Sequence, residues 1–131
     1  MRRKLWLAVV VALIAGPVSG RQIPTVKSSD VTPFMGTWVF TMTNPPGAQE
    51  TVSISDKNGI VAASVQAGRF PAIDVSGILY DGDVLILTVR RFENGMPIRA
   101  VVSLARDGEA MNMAQMLENS QTIKRGTGKK Q

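Results

Sequence analysis

No cysteine and no histidine occur in these 131 residues. The first absence excludes disulfides, cysteine nucleophiles and thiolate zinc sites; the second excludes histidine metal sites and any catalytic triad with an imidazole base. Aromatic residues are scarce, at 5% of the chain, so the position of each one carries information. Sustained helical periodicity is also lacking. Outside the N-terminal leader, no stretch keeps an apolar repeat of about 3.6 residues over the ten or so that an ordinary helix needs.

The leader itself has the three-part pattern of a secretory signal. Arg2, Arg3 and Lys4 form a basic start, Leu5 to Ala15 is an apolar run, and Gly16-Pro17 breaks it before the small residues Val18-Ser19-Gly20. Cleavage after Gly20 is expected. The apolar run is about half the length of a membrane span, and a lipoprotein signal would need a cysteine. The mature chain is therefore expected to be secreted or periplasmic and not membrane-spanning.

Removing the leader takes three cations from the 15 Lys+Arg and none of the ten acids, which leaves a net charge of +2. Between Asp30 and Ser120 six basic residues face all ten acids. The surplus of cations lies at the two ends of the mature chain. A nucleic-acid reader would carry a basic stripe with interleaved aromatics on a folded face, and no such pattern is present.

From residue 34 onward the chain is a succession of short alternating runs separated by turn signals at intervals of about 8–12 residues, the pattern of an antiparallel sandwich or barrel. The runs are 37–43, 50–56, 60–66, 73–80, 84–91, 98–105, 110–117 and 121–125. Between them stand NPPG, DKNG, AGRFP, YDGD, ENGMP, RDGE and ENS, each supplying Gly, Asn or Asp for a tight connection. The predicted fold is an all-β, about eight-stranded antiparallel up-and-down barrel over residues 34–126. Residues 21–33 read as a flexible lead-in, with one helical turn over Thr32 to Met35 closing a barrel end, and 127–131 as a basic tail.

Alternation assigns the faces. Trp38, Phe40 and Met42 share one side of the first strand, as do Val52 and Ile54 on the second and Ile98, Ala100, Val102 and Leu104 further on. The run VLILTV, Val84 to Val89, is apolar on both sides. Its outer face is expected to be covered by a neighbouring segment or by another subunit.

The Gly36-Thr37-Trp38 triplet opening an eight-strand meander resembles the lipocalin and calycin-like small β-barrels. The chain is also similar to small bacterial secreted domains that open with a G-T-W strand and contain V-x-G-x-L-x-x-D-G-D-x-L hairpins, here Val75 to Leu85. That resemblance implies that Trp38 closes one end of the barrel and that a basic residue of the last strand packs across its ring. The residue in the matching place is Arg125, with Lys124 next to it. The T-D-Y-type turn of true lipocalins is missing.

Candidate sites follow from the faces. Phe40, Met42, Met111 and Met113 are expected to line an interior that either is filled or admits an apolar ligand, methionine being adaptable enough for either. Arg90, Arg91 and Arg99 flank the ENGMP turn, where they either pair with Glu93 and solvent or gather an anionic head group. Asp81 and Asp83 around Gly82 read as turn residues, since a calcium site needs about 6–8 oxygens. Tyr80 is expected to cap the barrel. The predicted function is non-enzymatic binding of an apolar or amphipathic small molecule, with no cofactor. The alternative is an interaction module, dimer-forming through residues 84–89. A barrel isomerase or cyclase that acts by shaping its substrate is the third class.

Overall fold

The computed structural model describes residues 25–131, apart from the side chain of Glu93. The predicted signal peptide and residues 21–24 lie outside the described residues. Nine strands are present: β1 (Gly36–Thr43), β2 (Pro46–Lys57), β3 (Ile60–Ala67), β4 (Ile73–Asp74), β5 (Gly77–Asp81), β6 (Val84–Glu93), β7 (Met96–Asp107), β8 (Ala110–Leu117) and β9 (Ile123–Lys130). They form one antiparallel sheet in the order β4-β3-β2-β1-β9-β8-β7-β6-β5, an up-and-down meander whose last strand returns beside its first. The sheet curls into a half-barrel.

The connections explain the meander. Asn58-Gly59 and Asn94-Gly95 both adopt positive φ at two successive positions, the backbone that two-residue hairpins require. The run predicted as one strand over 73–80 is split, because the chain changes partner at Val75-Ser76. Val75 donates to the Ala63 carbonyl at 3.0 Å and Ser76 to the Thr88 carbonyl at 2.7 Å. The two edges of the sheet are drawn together there.

Two boundaries differ from the sequence expectation. The lead-in is ordered from Ser28 to Phe34 as a 3-10 helix that buries Val31 and Phe34 over one end of the barrel. The supposed tail is the second half of β9, which pairs with β1 as far as Lys130. Apolar alternation fails to mark this half because its inward positions are Gly126 and Gly128. A Cβ on Gly128 would stand 2.6 Å from the Phe40 ring, and one on Gly126 2.5 Å from the Met42 sulfur. The glycines leave the room that the inward side chains of β1 occupy.

The interior is built as alternation requires. Trp38, Phe40, Val52, Ile54, Leu85, Leu87, Val89, Ala100, Val102, Leu104, Met111 and Met113 belong to one buried cluster. Val84, Ile86 and Thr88, the outer residues of the doubly apolar run, are half-buried.

Candidate functional site

The barrel has two unlike ends. At one, the 3-10 helix covers Trp38, which is fully buried and donates its indole N–H to the Phe34 carbonyl at 3.0 Å. Phe34 meets Tyr80 edge-to-face at 6.0 Å, so Tyr80 helps to cap this end. The cations over the indole are Arg106, 5.1 Å from the ring centroid, and Lys130, 5.9 Å from it. Arg125, expected in that role by resemblance, is exposed and pairs with Ala114. Trp38 lies opposite Lys130 on β9, so Arg125 is five residues, roughly 17 Å, further along the strand. Lys124 is farther still.

Arg106 is fixed by the backbone. Its guanidinium donates to the carbonyls of Ala110, at 3.2 Å, Pro33 and Gly108. It thereby ties the helix to the β7–β8 turn and stacks on the ring beneath. A depression of about 560 Å³ borders this end, lined by Trp38, Arg106, Glu109, Ala110, Lys129 and Lys130. Its aromatic floor and guanidinium are engaged with the helix that covers this end.

The opposite end is the mouth. Glu50 and Gln115 are buried there, on the inner faces of β2 and β8. One oxygen of Glu50 accepts hydrogen bonds from Arg91 at 3.2 Å and from the Gln115 amide nitrogen at 3.1 Å. Glu50 and Arg91 form the ion pair found among the described residues. A carboxylate can only accept, so it fixes which end of the Gln115 amide points toward it. The amide oxygen of Gln115 is buried with no partner. Alternation carried this signal, because Glu50 has the parity of Val52 and Gln115 that of Met111 and Met113, although neither polar residue was singled out from sequence.

Beside this cluster lies an open, largely apolar depression of about 400 Å³, lined by Val65, Ala67, Phe70, Pro71, Ile73, Arg91 and Phe92. Arg91 is the single charged side chain in the wall. Phe40, Met42, Met111 and Met113, expected to line the interior whether filled or ligand-admitting, are packed in the buried cluster and do not line this depression. Arg91 is at the mouth as expected but turned inward; Arg90 and Arg99 point outward and are exposed. Asp81 and Asp83 are exposed around their turn, the Asp83 N–H donating to the Asp81 carbonyl at 2.7 Å.

No protein-family model matches this chain, and a search of curated proteins finds no match either. The lipocalin-like resemblance is carried by the barrel-like fold alone. Among the described residues, no helix is long and apolar enough to cross a membrane.

Proposed function

We propose that the protein is a secreted or periplasmic, non-enzymatic binding module for an amphipathic small molecule, which it takes at the mouth. The observation that carries this proposal is the apolar depression with one cation in its wall, held in place by the buried Glu50. Small-molecule sites are typically apolar hollows of about 300–1,000 Å³ with a few fixed polar groups. Arg91 uses one of its five N–H donors on Glu50, so further donors remain for an acceptor head group. Val65, Phe70, Ile73 and Phe92 would take the tail.

A ligand burying about 300 Å² of apolar surface gains about 7–8 kcal/mol, less the cost of ordering it, so binding is expected between about micromolar and millimolar strength. Calorimetric titration with dodecanoate, dodecanol and an anionic aromatic dye tests this. The anions are expected to bind more tightly than the alcohol, with added salt narrowing the gap and Arg91→Gln removing it. A folded protein that binds none of the three would refute the assignment.

A second function is favoured by one specific feature, an apolar band on the outside of the sheet. Val101, Met116 and Ile123 are exposed and stand side by side across β7, β8 and β9. Self-association would use that band. Its test is sedimentation of an Ile86→Glu or Val101→Glu variant, because Leu85 and Leu87 face the interior and their replacement would report only unfolding.

A further inference from the structure

The three most exposed large apolar side chains among the described residues are Phe70 at 73%, Phe92 at 69% and Met96 at 64%. All three lie at the mouth, in the β3–β4 loop and on either side of the β6–β7 turn. Cations accompany them. Arg69 adjoins Phe70, and Arg90 and Arg99 face each other directly across β6 and β7 on the outer surface. Like charges directly opposed in a sheet are destabilising, so this pair costs stability unless an anionic partner lies over it. Lys124 and Arg125 stand at the same end of β9.

Charge is segregated along the barrel. Asp30, Asp56, Asp81, Asp83, Asp107 and Glu109 all lie on the helix, strand ends or turns of the Trp38 end, whereas Glu50, Glu93 and Glu118 stand toward the mouth, where Glu50 is spent on Arg91 and Glu118 accepts from the Arg99 N–H at 3.2 Å. Protruding phenylalanines ringed by arginines match the interface of an anionic bilayer, where apolar side chains enter below the headgroups and each nearby cation adds attraction. An apolar protein groove would leave the opposed arginines unanswered.

We infer that the mouth docks on an anionic lipid surface, with Phe70, Phe92 and Met96 inserted and Arg69, Arg90 and Arg99 over the headgroups. The docking surface shares Phe70 and Phe92 with the apolar depression, but its three arginines do not line that depression, so their variants test docking apart from ligand binding. The barrel would then stand with its Trp38 end away from the bilayer.

The test is cosedimentation of the mature protein with ligand-free vesicles of phosphatidylcholine alone or with phosphatidylglycerol at a 7:3 ratio. Partition is expected onto the mixed vesicles at low salt, weakening about five-fold for each of Arg69→Gln, Arg90→Gln and Arg99→Gln. Phe70→Ser with Phe92→Ser should release the protein, and circular dichroism of these exposed-site variants checks that the fold is kept. Orientation is read with brominated lipid, which should quench the tryptophan introduced by Phe92→Trp and spare Trp38. Absence of partition, equal partition onto neutral vesicles, or quenching of Trp38 instead would overturn the inference. A protein that binds dodecanoate without partitioning would retain the small-molecule site and lose the docking surface.

Discussion

Trp38 is held by three different interactions: burial in the core, a hydrogen bond to the Phe34 carbonyl, and two cations over its ring. Trp38→Ala is expected to cost about 3–5 kcal/mol in urea denaturation. Arg106→Ala should couple to it by about 0.5–2 kcal/mol in a mutant cycle, while Arg125→Ala, on the outer surface, should be additive to within about 0.5 kcal/mol. Coupling through Arg125 would restore the pairing that the resemblance implied. Gln115 offers the reverse case. Gln115→Met relieves the desolvation cost of its orphaned acceptor but also removes a donor to the buried Glu50, so the two effects offset and stability should change by less than about 1 kcal/mol only while Arg91 still holds Glu50. The position of Trp38 was legible because a large aromatic among inward-facing neighbours has few other places to go. Its cationic partner was not, since that depends on how far β9 slides along β1, a register that no residue pattern within β9 fixes.

At the scale of elements, β9 is the informative strand. Its inward face is glycine at 126 and 128, so hydrophobic alternation stops and the segment resembles a frayed end. Register shows the opposite, because Phe40 and Met42 need that empty space. Gly128→Val is expected to destabilise by about 1–3 kcal/mol through overpacking against the Phe40 ring, measured as a lower midpoint of thermal or urea unfolding. Truncation after Gly126 removes the pairing of β1 from Thr41 to Trp38 and should abolish cooperative unfolding in a small domain with about 5–15 kcal/mol of stability. An unchanged midpoint in the truncated chain would mean that residues 127–131 are a tail after all. Most of the remaining strands were legible because four of their turns carry Asn-Gly or Asp-Gly and their faces alternate. The break between β4 and β5 was not, because a change of hydrogen-bonding partner leaves the alternation intact.

In the whole molecule, curling the sheet makes its two ends unlike. One is sealed by Trp38, Arg106 and the 3-10 helix; the other gathers Glu50, Arg91 and Gln115 beneath an apolar rim. The candidate site was legible only in part, because Arg91 and Arg99 were placed at a rim by the turn between them, whereas Glu50, Gln115 and Phe70 come from strands and a loop that only the curled sheet brings together. Met42, Met111 and Met113 are packed in the buried cluster. A direct test is amide and side-chain chemical-shift mapping during titration with dodecanoate. Binding at the mouth is expected to perturb Val65, Ala67, Arg91 and Phe92, together with the side-chain amide of Gln115, and to leave Trp38 and Met111 unmoved. Shifts centred on Phe40, Met111 and Trp38 would place the ligand inside the barrel and contradict a packed interior with its site at the mouth.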